Sequence, residues 1–249
     1  MSQFSITAYL GLKSDKFKKG LSSVQGQSKS VMGKVGGMFA KVGPMLGAAV
    51  VAGAAVAAAA VVKFGKDSLM AFASFEKGMN EVFTLLPGIS EEAMGQMEDD
   101  VLKLAKTMGK LPEEVVPALY QAISAGVPKE NVMTFLEVAS KASIGGVTSL
   151  ETAVDGLTGV INAYGKENMS ATRASDIMFT AVKLGKTTFD EMSRSLGDAT
   201  PIASALGVSF GELSAALAVS TGITGNTSKS VTGLKNMMAE LGKEGQVAA

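Results

Sequence analysis

From Phe75 to Leu241 apolar residues recur at three- and four-residue spacing, and Gly, Pro or a hydroxyl–acid pair interrupts them at short intervals. A chain patterned this way can hide its apolar stripes only by laying helix on helix, which makes an all-α domain the expected product. Pro87-Gly88 is a break, and Ser90 then caps a helix with an acidic first turn, Glu91-Glu92. Its apolar face is Met94, Met97, Val101, Leu104, Ala105 and Met108. Pro112 starts the next helix and Gly126 ends it; Pro128 starts another, with Val132, Phe135, Leu136 and Ala139 on one face and Gly145-Gly146 as its stop.

Three capping boxes follow, in which a hydroxyl and an acid three residues apart each satisfy a free N–H: Thr148–Glu151, Thr188–Glu191 and Ser209–Glu212. The first opens a helix that buries Ala153, Leu157, Val160, Ile161 and Tyr164. Ser170 opens one carrying Ala174, Ile177, Met178, Ala181 and Leu184, Pro201 splits the helix between the later two boxes, and a last helix carries Val231, Leu234, Met238 and Leu241. The hydroxyl-plus-apolar helix starts recur at unequal spacing, so they are a habit of the fold and not a repeat array.

At 249 residues the chain can form one or two domains. Aromatics are only 6% while Met numbers 15, a mixture suited to closely packed helices whose irregular gaps Met fills. There is no Cys and no His, which excludes disulfides and thiol chemistry and removes the commonest general base and metal ligand.

The N-terminal third differs in character. Phe4, Ile6, Ala8, Leu10 and Leu12 alternate with polar residues, predicting a short half-buried β-strand that needs a partner strand. Phe17, Leu21 and Val24 mark a short amphipathic helix, and residues 22–41 are a Gly/Ser/Lys-rich link. Residues 1–41 contain Lys13, Lys16, Lys18, Lys19, Lys29, Lys34 and Lys41 against one acid, Asp15. With a net charge of zero overall, this arm is +6 and the rest of the chain −6. Such an arm suits nucleic acid, anionic lipid or an acidic protein surface, or is simply a solvated link.

Val42 to Val62 follows, 21 residues without a charge. As a helix this run is long enough to cross a bilayer, yet it is mostly Ala, Val and Gly with one Leu and one Met. Gly47, Ala48, Val51, Ala52, Ala55, Ala58 and Ala59 would let helix backbones approach closely, in water or in lipid. Self-packing and membrane insertion both stay open. The expected organisation is an N-terminal strand and Lys-rich arm (1–41), a long apolar helix (42–87) and a compact helical domain (88–249).

Sites for chemistry are sparse. Gly222-Ile223-Thr224-Gly225-Asn226-Thr227-Ser228-Lys229-Ser230 resembles a phosphate loop, but Ser228 and not Gly precedes the Lys, and no strand leads into it. Carboxylates cluster at Glu91-Glu92, Glu98-Asp99-Asp100 and Glu113-Glu114, where helix first turns account for two of the clusters. Ser140-Lys141 and Ser228-Lys229 are neighbours in sequence and so point different ways on a helix. No catalytic, cofactor or metal residues are expected, and no enzyme activity.

Several landmarks carry a family resemblance. They are Phe75-Glu76-Lys77-Gly78-Met79, Ala122-Ile123-Ser124-Ala125-Gly126, Ala174-Ser175-Asp176-Ile177-Met178, Gly207-Val208-Ser209-Phe210-Gly211-Glu212-Leu213, Gly222-Ile223-Thr224-Gly225 and Gly233-Leu234-Lys235-Asn236-Met237. In this order they resemble the core domain of phage tail tape measure proteins of the TP901 type. The start agrees, with a strand followed by Asp15, Phe17 and Gly20-Leu21. The resemblance covers about residues 4–24 and 68–241.

It implies a structural role: several copies inside the tail tube, help in setting tail length, and release as DNA passes to the host. The implied partners are further copies of the chain, the tail tube protein, tail assembly chaperones, distal tail or baseplate proteins, and possible contact with the host membrane and with DNA in passage. The implied location is the virion tail, after assembly in the host cytoplasm. Family members usually continue into an extended helical region, whereas 249 residues of helix would reach only about 370 Å. The competing expectation is a membrane-active, pore-forming protein using residues 42–62.

Overall fold

The computed structural model describes residues 70–247, with side chains as far as Lys243. The chain divides into two compact units, Met1–Ala73 and Ser74–Ala249; of the first, only residues 70–73 are described, and they are helical. The expected N-terminal strand, the Phe17–Leu21–Val24 stretch, the Lys-rich arm and the Val42–Val62 run lie outside the described residues.

The described residues form helices and turns without a strand, so the domain is all-α. Helix α1 (residues 70–84) is followed by α2 (Glu91–Met108), α3 (Pro112–Ser124), α4 (Val132–Gly145), α5 (Leu150–Tyr164) and α6 (Ala171–Leu184). Next come α7 (Phe189–Ser195), a 3-10 turn (Leu196–Asp198), α8 (Thr200–Ala205), α9 (Phe210–Thr224) and α10 (Thr227–Val247).

Local chemistry sets these boundaries. Ser90, Ser170 and Ser209 each accept a backbone N–H from the first turn of the helix they precede. The expected boxes Thr188–Glu191 and Ser209–Glu212 are complete, with both reciprocal bonds made. The expected box Thr148–Glu151 is not. Ser149 is the cap, accepting the Thr152 N–H at 3.0 Å, while the Thr148 hydroxyl donates to Asp190 Oδ1 at 2.5 Å. Two adjacent hydroxyls competed for the cap, and a long-range carboxylate took one of them.

Pro128 also does not open α4. Residues 128–130 form a turn closed by Asn131 N–H to Pro128 O at 2.9 Å, and the helix begins at Val132. Between α7 and α8 the chain tightens into the 3-10 turn, and Pro201 sits in the first turn of α8, where its missing N–H costs nothing.

Helix α5 is the centre of the unit. It packs on α3, α4, α6, α7, α8 and the 3-10 turn. Eight of its fifteen residues are buried, among them Leu150, Val154, Leu157 and Val160, which is burial on most sides and not on a single stripe. Side chains add directional ties: Asn162 Nδ2 donates to Ala125 O at 3.0 Å, and Lys166 Nζ donates to Gly126 O. Those carbonyls lie at the end of α3, where no intrahelical donor remains. Around this spine the core gathers Met79, Leu119, Leu136, Met178, Phe189, Met192, Phe210 and Leu217. Phe189 stacks on Phe179 with ring centres 4.8 Å apart.

Two residues expected in the core are exposed. Leu184 is 72% exposed and Leu241 is 59% exposed, each at the rim of a groove beside α9 and not beneath it. Tyr164 is only half-buried, lying against Phe210.

Close helix crossings depend on absent side chains. A Cβ on Gly156 would stand 2.6 Å from Ser193 Cβ and 2.7 Å from its Cα, whereas a Cβ on Gly159, one turn away, would meet nothing within 4 Å. Gly156→Ala is therefore expected to lose about 1–3 kcal/mol from overpacking, even though Ala favours a helix. Gly159→Ala should gain about 0.5–1 kcal/mol from helix propensity. Urea midpoints of the two variants check the pair.

Asp190 supplies a second expectation. Hydrogen bonds from Arg194 and then from Thr148 hold its carboxyl below the usual carboxylate range. A carboxyl depressed by folding stabilises the fold above its unfolded pKa, and that contribution fades as pH falls through the folded value. Stability should thus drop below about pH 4. Asp190→Asn should show a shallower drop in urea titrations run across that acid range.

Candidate interaction surface

Helix α9, Phe210–Thr224, contains a single charge, Glu212, and is otherwise small, hydroxylic or apolar on every side. A helix of that composition is ordinarily enclosed. Here only one side is. Phe210, Leu213, Ser214, Leu217, Ala218 and Thr221 face inward. On the outer side lie Gly211, Ala215, Ala216, Val219, Gly222 and Ile223, with Val219 67% and Ile223 83% exposed. Glu212 shares this side at its N-terminal end. Its carboxylate accepts the Ser209 hydroxyl at 2.7 Å and the Ser209 N–H at 2.9 Å, bonds that hold its pKa below the ordinary range.

A groove flanks this ridge on each side. Between α9 and α6 is a hollow of about 440 Å³ lined by Ile177, Thr180, Ala181, Leu184, Ala215 and Ala218. Between α9 and α10 a second, of about 360 Å³, is lined by Leu206, Val208, Ala216, Leu234, Met237 and Leu241. Leu206, Met237 and Leu241 are themselves 42%, 52% and 59% exposed. The ridge is apolar, while the groove toward α6 also carries Arg173 and Asp176, and the base is firm. Gly185 lets α6 press on α9, since a Cβ there would stand 2.8 Å from Ala218 Cα. The Lys186 N–H donates to the buried Thr221 hydroxyl at 3.2 Å. What such a surface can do is hold another apolar helix.

The residues singled out for chemistry are placed as follows. In the phosphate-loop lookalike, Gly225 is the left-handed cap of α9, Asn226 Oδ1 accepts the Lys229 N–H at 2.8 Å, and the Thr227 hydroxyl donates to Glu191 Oε2 at 3.0 Å. Its polar atoms thus close the α9–α10 corner. Glu91-Glu92 lie in the first turn of α2, and Glu113-Glu114 in that of α3. Glu114 accepts the Leu111 N–H, the main cause of its lowered pKa, and Glu98 is buried. Among the described residues no three His, Cys, Asp or Glu side chains are grouped to hold a metal. Ser140 is buried while the adjacent Lys141 is exposed and pairs with Glu137 at 2.7 Å; Ser228 and Lys229 are both exposed. Burial, with Glu212 nearby, raises the Tyr164 phenol to about 12.

The self-association or membrane candidates Gly47, Ala48, Val51, Ala52, Ala55, Ala58 and Ala59 lie outside the described residues, as do Lys13, Lys16, Lys18, Lys19, Lys29, Lys34 and Lys41. Among the described residues no helix is long and apolar enough to cross a membrane. The α9 surface was not anticipated. Its signal was the missing polar face between Leu213 and Thr224, which periodicity alone assigns to a core.

Several of the landmark motifs prove to be packing devices. Ala122 is buried, and Ala125 and Gly126 offer the carbonyls held by Asn162 of α5 and by Lys166 just after it. Ala174, Ser175 and Met178 are buried in α6. Gly207 takes φ 74°, which a side chain resists, ahead of the Ser209–Glu212 box.

Comparison with known proteins is consistent with that architecture. The profile of a family described as phage-related minor tail protein matches residues 98–249. Over 180 residues, 71% of this chain, the sequence is 30% identical to a probable tape measure protein of Clostridium phage phiCD119. The chain spans 19% of that relative's length. No solved structure matches it.

Inner and outer positions of α9 should respond differently to substitution. Leu217→Ala, at a fully buried site, should cost about 2–5 kcal/mol, whereas Ile223→Lys should stay within about 0.5 kcal/mol of the parent. Thermal and urea unfolding of the two variants test whether the outer face is free in solution.

Proposed function

This chain belongs to the phage-related minor tail protein family, and we propose that it acts as a tape-measure-like structural component of a phage tail. In this reading it contributes to tail assembly, length determination and genome delivery. The observation that carries it is the family match over residues 98–249, which takes in every helix from α3 to α10. The 30% identity to a probable tape measure protein narrows the role within that family. The architecture is in keeping with it: several landmark residues serve helix packing, and the outer side of α9 leaves Val219 and Ile223 uncovered.

The partners proposed are further copies of the chain, the tail tube protein, tail assembly chaperones and distal tail or baseplate proteins. The arm from Lys13 to Lys41 would meet DNA in passage or an acidic tube wall. The run Val42–Val62 would pack copies together or touch the host membrane during infection. Assembly would take place in the host cytoplasm. An enzymatic role is not proposed. The membrane-active alternative rests on residues 42–62 alone.

An amber codon in this gene of the encoding phage, grown without a suppressor, tests the role. Filled heads lacking normal tails are expected by electron microscopy, with tails restored in a suppressor host. Tails of normal number and length without the protein would overturn the proposal. Dye release from liposomes by the purified full chain, with normal tails in the amber phage, would favour the pore-forming alternative.

A further inference from the structure

We propose that the first turn of α7 couples the α4–α5 turn to the α9–α10 corner, and that Val147 is the strained point at which the coupled unit gives way. Among the described residues Val147 is the only one other than glycine with a positive φ, 52°. The left-handed region crowds any Cβ, and a β-branched side chain most of all. Burial does not offset the strain, since Val147 is 90% exposed. The neighbouring glycine is committed elsewhere. Gly146 sits where an added Cβ would stand 2.6 Å from Phe189 Cβ, and its own φ is −89°, so the left-handed step falls on Val147.

Contacts around the turn hold that step in place. The Val147 N–H donates to Ile144 O at 3.4 Å and the Thr148 N–H to Ser143 O at 2.9 Å, closing the end of α4. The Thr148 hydroxyl is bonded to Asp190, whose carboxylate Arg194 holds at 2.9 and 3.1 Å. Three consecutive residues of α7 thus act together. Phe189 packs on Gly146, Asp190 accepts the Thr148 hydroxyl, and Glu191 accepts the hydroxyl of Thr227, the first residue of α10. The first two reach the α4–α5 turn and the third reaches the α9–α10 corner. A strained turn held by outside contacts is a two-state element, because the backbone favours the open form and the contacts favour the closed one. Coupling between two places requires such an element, biased from both. Loosening the corner frees the first turn of α7, weakens the hold on Thr148 and lets Val147 return to negative φ.

Hydrogen exchange of the full chain, followed at the Thr148 amide as a protection factor, reads the turn. Thr227→Val cuts the bond to Glu191 from the far side and should lower that protection several-fold. Ser228→Ala, at the exposed neighbouring position, should leave it as in the parent. Adding Val147→Gly removes the strain and should restore most of the protection lost in Thr227→Val. Amides of α2, which packs on α3 and α4, should keep their parental protection throughout. Thr148 protection that Thr227→Val leaves unchanged overturns the proposal. So does a loss that Val147→Gly fails to restore, or one shared equally by the amides of α2.

Discussion

Everything in this domain hangs on how closely α5 can approach its neighbours. A helix touching α3, α4, α6, α7 and α8 together has little surface left for solvent, and each crossing must be tight enough to exclude water. At α7 the contact is backbone against side chain: Gly156 offers no Cβ, and Ser193 occupies the space. The same device recurs at other crossings. An added Cβ on Gly78 would stand 2.7 Å from Val116 Cγ1, and one on Gly146, just past the end of α4, 2.6 Å from Phe189 Cβ. Glycine in a helix costs about 1 kcal/mol relative to Ala, so its use there marks where packing outweighs propensity. Leu, Met and a few Phe then fill the spaces between crossings, which is why so aromatic-poor a chain still encloses a continuous core.

Helix ends were the most readable part of the sequence, because a cap is a local interaction between residues three apart. Ser90, Ser170, Thr188–Glu191 and Ser209–Glu212 all act where their spacing placed them. The failure at Thr148 shows the limit of local reading. Its hydroxyl has the right spacing for a cap, but Asp190, 42 residues later, accepts it, and the adjacent Ser149 caps instead. A residue that is equivalent in sequence terms was displaced by a contact that exists only once α5 and α7 have packed.

Periodicity has a related limit. It tells which residues share a side of a helix, not whether anything covers that side. Leu184 and Leu241 lie in register with buried neighbours, yet each ends at the rim of a groove and stays exposed. Helix α9 is the larger case. Its lack of a polar face reads as enclosure from every direction, whereas the fold supplies α6, α8 and α10 around one side and leaves the other open. The surface became visible only when burial could be read residue by residue.

That open side is also the part of the molecule best prepared to bind. α9 is held by α6 through Gly185 and the Lys186–Thr221 bond, and it is capped at both ends, by Ser209–Glu212 and by Gly225. A face fixed in this way needs no ordering when a partner arrives, so less of its apolar burial is offset by lost conformational freedom. Small residues keep the ridge low, and the two flanking grooves leave room for side chains from a second helix. A rigid apolar ridge of this kind is shaped to receive another apolar surface. It is one place where the fold leaves apolar side chains uncovered, and covering Val219 and Ile223 would remove that surface from water.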